Sequence, residues 1–160
     1  MSRRLRIRHF DTDDYFWERT DPPYTVPRPL EARVALLRAE FDAFPSWVIS
    51  GSLIDWGDVF IPKFTLVVFL FVPTEIRRVR LDTRERARHG SDVDLGGPLH
   101  ERHQKFLSWA AGYDDGLFEG RSLERHRVWL SKLSAPWLEI VGTPTLEESV
   151  DKVLQALPTY

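Results

Sequence analysis

The stretch FTLVVFLFVP, residues 64–73, decides the fold class. It is apolar nearly throughout, rich in valine and phenylalanine, and Pro73 ends it. A strand with one wet face alternates polar and apolar residues, whereas a central parallel strand is apolar on both faces. Phe64–Val72 is therefore expected to be a central parallel strand. The charged segment Thr74–His89 after it reads as a helix. Upstream, Trp47–Ser50 is a short buried strand ended by Gly51. Before that, Leu30–Phe44 is an amphipathic helix with Leu30, Val34, Leu37, Phe41 and Phe44 on one face. Leu5–Phe10 alternates as a strand, and Asp11–Pro29 is a loop in which four prolines prevent regular pairing. Downstream come a glycine-bearing loop, His89–Pro98, and two helices, Leu99–Tyr113 and Ser122–Leu133. A last strand, Trp137–Val141, precedes a helix opened by a Thr145/Glu148 capping box.

Strands alternating with helices predict a three-layer α/β/α doubly wound parallel sheet. In such sheets ligands bind outside the carboxyl ends of the strands, so the polar residues there are the informative ones. The length, 160 residues, suits a single domain over 1–160. A net charge of −2 supplies no field for nucleic acid or an anionic membrane. The absence of cysteine excludes disulfides, thiolate catalysis and Cys-ligated zinc. The basic first ten residues lack an apolar core, and the longest apolar run, Leu66–Val72, is too short to span a bilayer. A cytoplasmic protein is expected.

Four segments carry polar groups that could do chemistry. Asp11-Thr12-Asp13-Asp14 follows the first strand. Crowded carboxylates suit Mg2+ or the hydroxyl of a substrate, or else form a solvated acidic turn. Ser50-Gly51-Ser52 follows the second strand, where glycine admits a ligand close to the backbone or makes a tight turn. It is no nucleophile elbow, which needs G-x-S-x-G. Arg77, Arg80, Arg84 and Arg88 share one helical face, suited to an anion such as a polyphosphate or simply to water. His100-Glu101-Arg102-His103 misses the i, i+4 histidine spacing of a zinc helix, so both histidines are expected on the surface.

Taken together, these segments resemble the adenylate-kinase and shikimate-kinase branch of the P-loop kinases. His9-Phe10-Asp11-Thr12-Asp13 is similar to the F-x-D-x-D segment of shikimate and gluconate kinases. The resemblance implies Asp11 beside the metal, as a catalytic residue, and Asp13 on the acceptor substrate. Trp47–Ser52 resembles the strand and glycine turn facing the acceptor, which implies Gly51 and Ser52 there. Leu81-Asp82-Thr83-Arg84 and Arg88-His89-Gly90 are similar to the lid entrance of gluconate-kinase-like enzymes. That implies Arg84 and Arg88 on ATP phosphates, with Arg80 on the same face. Residues 74–116 would then be a lid-like helical part. Leu138–Thr143 looks like the last family strand, placing Gly142 and Thr143 by the adenine. Asp11–Phe60 most resembles a bacterial group of adenylate-kinase-like ATPases.

One departure is severe. No Gly-Lys dipeptide occurs, so the phosphate-cradling loop G-x-x-x-x-G-K-[ST] is absent. The resemblance then implies a P-loop NTPase-like sheet missing its first, central strand, the one flanked by the strands at Trp47 and Phe64. It implies an ATP-dependent kinase of a small metabolite or nucleotide, inactive in this form, with weak or absent binding of ATP and Mg2+. The alternative is a non-catalytic relic that binds a small molecule or a protein. Dimerisation through the open sheet edge is a further expectation.

Overall fold

In the computed structural model, which describes residues 1–158, the chain divides into two units. The first runs Met1–Pro62 and the second begins at Lys63.

In the first unit, Ser2–Leu5 forms one helical turn, α1, closed by Arg6 in the left-handed region. The strand expected at Leu5–Phe10 is therefore displaced to Arg8–Asp11, β1. Asp11 then caps a short helix, α2 (Thr12–Phe16), inside the segment expected to be loop. Asp at the N-cap with Asp13 and Asp14 in the first turn is a helix-start signal. The long helix α3 spans Leu30–Ala43, and β2 (Trp47–Ser50) pairs with β1 in parallel. A 3-10 helix, Asp58–Lys63, ends the unit, its last residue being the first of the next.

Aromatic side chains fill this core. Phe10 meets Phe41, Phe44 and Tyr15 with ring centroids 5.9, 6.0 and 6.2 Å apart. Phe41 stacks on Trp47 at 3.7 Å and meets Phe60 edge-on at 5.2 Å. Leu37 and Phe60 are fully buried, and each such side chain contributes about 1.5–3 kcal/mol. Of the five apolar positions expected on one face of α3, the core takes Leu37 and Phe41. Leu30 and Phe44 stay exposed at 46% and 36%. The helix thus turns a second face, through Ala35 and Ala39, to solvent.

In the second unit, β3 (Val67–Phe71) pairs in parallel with β4 (Trp137–Val141), Val67 opposite Trp137 and Phe71 opposite Val141. Between them lie α4 (Thr74–His89), a 3-10 turn (Gly90–Val93), α5 (His100–Ala111) and α6 (Leu123–Leu130). The last helix is α7, Leu146–Ala156. Its capping box forms as expected: Glu148 N–H donates to Thr145 Oγ1, and Thr145 N–H to Glu148 Oε2. The core here is Val93, Ala110, Trp129, Leu130 and Ile140.

The doubly wound sheet is not what the chain builds. The described residues hold two separate two-stranded parallel sheets, β1–β2 and β3–β4, and not one sheet covered on both faces. Residues 51–66, between β2 and β3, go into turns and the 3-10 helix. No ladder joins the two pairs, so there is no common sheet for three layers to form on. The expected central strand shows the same thing: Leu70 is 63% exposed. A two-stranded ladder lacks the neighbours needed to bury both of its faces. No described helix is long and apolar enough to cross a membrane.

Candidate functional site

The carboxyl ends of β1 and β2 bring two of the expected segments together. Their register sets Asp11 opposite Ser50, and His9 Nε2 lies 2.9 Å from Ser50 Oγ. Asp11 Oδ1 accepts the Asp13 N–H at 3.0 Å, which caps α2. Thr12 is 1% exposed, and its Oγ1 is buried without a hydrogen-bond partner. That hydroxyl presses on Gly51, where a Cβ would stand 1.7 Å from it. Gly51 also has φ +110°, so glycine is needed both for its conformation and for the close approach. Ser52 is buried, its carbonyl accepting Trp56 Nε1–H at 3.2 Å. Asp13 is half-buried and Asp14 exposed. Burial first, then Glu40 and Asp14, push the Tyr15 hydroxyl up to about 12, so it stays protonated at neutral pH.

This arrangement suits a ligand hydroxyl or amine, which the Asp13 carboxylate can accept from. One Asp11 oxygen is occupied as a cap, and no described group of three or more acidic or histidine side chains converges to hold a cation.

The remaining expected residues lie in the second unit. Arg80, Arg84 and Arg88 are exposed on α4. Arg84 Nε and Arg88 Nη1 both approach Glu85 Oε1, at 3.2 and 3.5 Å, so part of their charge is offset locally. Arg77, expected on the same face, turns inward to Asp114 instead. Gly142, at φ +90°, donates its N–H to Phe71 carbonyl oxygen at 2.9 Å just past β4, and Thr143 beside it is exposed. No cradle of backbone N–H groups for a polyphosphate is formed by these residues.

Two polar clusters in this unit lie outside the expected site. Arg77 donates to the carbonyls of Val72 and Ala110, to Thr74 Oγ1 and to Asp114, and sits 4.9 Å from the Tyr113 ring. Tyr113 is pushed up to about 12 by burial, and its hydroxyl lies 2.9 Å from His126 Nδ1. Burial holds His126 below its usual range, which favours the neutral ring.

In the other cluster, His103 corrects the expectation of two surface histidines. It is 4% exposed, with Nε2 2.8 Å from Asp82 Oδ1. Leu99, His103, Phe106 and Ala110 recur at helical spacing, which is the signal that it faces α4. Asp82 Oδ2 accepts Arg86 Nε–H at 3.0 Å, and Arg86 also pairs with Asp94. Helices α4 and α5 and the turn between them are thus tied through the Asp82 carboxylate and Arg86.

The His103 hydrogen bond, then that of Arg86, holds the Asp82 carboxyl below its ordinary range. A depressed carboxyl contributes stability above its unfolded pKa of about 4 and loses it as pH falls through the folded value. Asp82→Asn is therefore expected to lower the urea midpoint at pH 6, with the gap to the parent narrowing as pH falls below about 4. A gap that stays constant as pH is lowered would remove Asp82 from this role.

No protein-family model matches the chain, and no solved structure matches it. A protein of Bacillus subtilis strain 168, described as "Uncharacterized protein YqaC", is 39% identical over 157 residues. The match covers 98% of this chain and 86% of the relative. Identity of that extent, over nearly the whole chain, means that the chain belongs to the YqaC family.

Proposed function

We propose that the chain carries the acceptor-binding part of a cytoplasmic phosphotransferase acting on a small metabolite or nucleotide, related to the ATP-dependent small-molecule kinases. One observation carries this reading. Asp11–Asp13 and Ser50–Ser52, the segments that resemble the acceptor side of those kinases, meet at the ends of two adjacent parallel strands. The reading needs those strand ends and does not need a doubly wound sheet. Asp13 accepts a hydrogen bond from the acceptor hydroxyl, Gly51 and Ser52 border it, and Asp11 holds the turn by capping α2. Arg80, Arg84 and Arg88 offer an anion-binding face in the second unit. ATP is the implied phosphoryl donor. The 160 residues contain no Gly-Lys dipeptide, so no lysine is set in a phosphate cradle and no turnover by this chain is expected. As it stands, the chain acts as a binding module.

The test is an NMR titration of the chain with nucleoside monophosphates, polyols and hydroxy acids. One class is expected to shift signals of residues 11–17 and 50–56, and Asp13→Ala to weaken it about tenfold or more, the loss of one charge-assisted hydrogen bond. Mg-ATP is expected to bind no tighter than about 1 mM. Unchanged acceptor affinity in Asp13→Ala would remove Asp13 from the site, and tight Mg-ATP binding would contradict the need for a cradle. The Bacillus relative is longer than the matched stretch, which makes it the protein in which to assay turnover.

A further inference from the structure

The carboxyl ends of β1 and β2 hold a pair that acceptor binding leaves unused. Phe10 faces the core, so strand alternation turns His9 and Asp11 to the other face. The register lays Ser50 opposite Asp11 and diagonal to His9. His9 and Ser50 are both exposed, and Nε2 lies 2.9 Å from Oγ. That is the separation of a hydroxyl nucleophile from its base, about 2.6–3.2 Å. His9 Nδ1 has no hydrogen-bond partner among the described residues. With the ring proton on Nδ1, Nε2 is the acceptor and the Ser50 hydroxyl donates to it.

A backbone donor stands next to the pair. The Gly51 N–H makes no hydrogen bond among the described residues. It belongs to the residue after Ser50, and in α/β-hydrolases the N–H at that place donates to the oxyanion. The G-x-S-x-G elbow is absent, and here strand pairing brings the serine to its base instead.

We propose that Ser50 and His9 form a nucleophile–base dyad that cleaves small carboxylic esters. Ser50 Oγ attacks the ester carbonyl carbon, and its proton passes to His9 Nε2. The carbon–oxygen bond to the alcohol breaks, the alcohol leaves with the proton from His9, and the acyl group stays on Ser50. A water that gives its proton to His9 then attacks the acyl carbon. The acid leaves, and Ser50 regains its proton from His9. The sum is ester plus water to acid plus alcohol, with the Gly51 N–H as oxyanion donor in both steps. This chemistry needs neither ATP nor a phosphate cradle, and it rests on this pair and not on the acceptor seat. Both side chains stand open to solvent, so the substrate is a small ester with a good leaving group. No carboxylate orients Nδ1, and losing that member of a triad costs about 10⁴ in rate, so turnover is slow.

Reaction of the full chain with a fluorophosphonate tests the dyad, because a bond from Ser50 Oγ to phosphorus forms as fluoride leaves. Intact mass and peptide mapping are expected to place a single adduct on Ser50. Ser50→Ala is expected to take no label and to lose the parent's hydrolysis of p-nitrophenyl acetate. His9→Ala is expected to react about 10²–10⁴-fold more slowly, the contribution of a general base, with added imidazole restoring part of the rate. Rescue by imidazole separates a base from a residue that only holds the strand end. A parent chain that takes no label overturns the proposal. So does a label on another residue, or His9→Ala reacting at the parent's rate. Equal ester hydrolysis by the parent and Ser50→Ala overturns the hydrolytic step.

Discussion

Replacing Gly51 by alanine is expected to destabilise the first unit by about 3–5 kcal/mol. Two independent effects combine. A residue with a Cβ at φ +110° costs about 1–3 kcal/mol in backbone strain. The new methyl would also stand 1.7 Å from Thr12 Oγ1 and 2.8 Å from Thr12 Cβ. Thr12 is 1% exposed and at the base of α2, so it has little room to move, and overpacking of this kind costs about 1–3 kcal/mol. Domain stabilities are about 5–15 kcal/mol, so the loss is a large share of the total. With a urea slope of about 1–3 kcal/mol/M, the midpoint should fall by at least about 1 M. Thr12→Ala in the same chain should recover part of the loss, since it removes the hydroxyl contact but leaves Cβ and the strain. A Gly51→Ala protein within about 1 kcal/mol of its parent would mean that β2 and α2 separate easily there. The acceptor seat would then have no fixed geometry.

Some of this architecture could be read from the chain, and some could not, for identifiable reasons. The bounds of β2 and β4, the body of α4 and the Thr145/Glu148 capping box follow from local signals: an apolar run, a proline stop, a residue pattern within one helical turn. Assembly of the strands into sheets is nonlocal, and the chain does not build the expected common sheet. Leu70 belongs to the most apolar run in the sequence, yet it is 63% exposed. Composition says that such a side chain favours burial, but not whether a neighbouring strand exists to bury it. The Asp11–Pro29 segment holds a helix, because the prolines lie after Trp17 and an aspartate at a strand end is equally a ligand or a helix cap. For His103 two spacings point different ways. Its distance from His100 excluded a zinc helix, whereas its spacing to Leu99 and Ala110 placed it inward. Its partner Asp82 is 21 residues away on another helix, beyond any local pattern. Within the candidate site, the meeting of Asp11–Asp13 with Ser50–Ser52 followed from placing both at strand ends. The role of Asp11 as a cap did not.

The second large effect is expected at Arg77. Its spacing places it with the arginine face of α4, and its surroundings give it a different task. Its guanidinium reaches Val72 and Ala110 carbonyls at 3.0 Å, Thr74 Oγ1 at 2.8 Å and Asp114 Oδ1 at 3.1 Å. It thereby joins the end of β3, the first turn of α4, the end of α5 and the segment after it. The side chains of Arg77 and Asp114 are 19% and 26% exposed, so water replaces a lost partner only in part. Removing one member of a fully buried pair costs about 3–5 kcal/mol. Partial exposure reduces that, and about 2–3 kcal/mol is expected for Arg77→Met, which keeps most of the stem volume. Arg77→Lys should rescue little, because one ammonium cannot replace a planar fork serving several acceptors in different directions. The double change Arg77→Met with Asp114→Asn should cost less than the sum of the two single changes, since the charge left unpaired by either one is gone. Urea unfolding of the four variants measures all of these. If Arg77→Met unfolds at the parent midpoint, the cluster is not what holds α4 to α5. Arg77 would then return to the exposed arginine face as a candidate for binding anions.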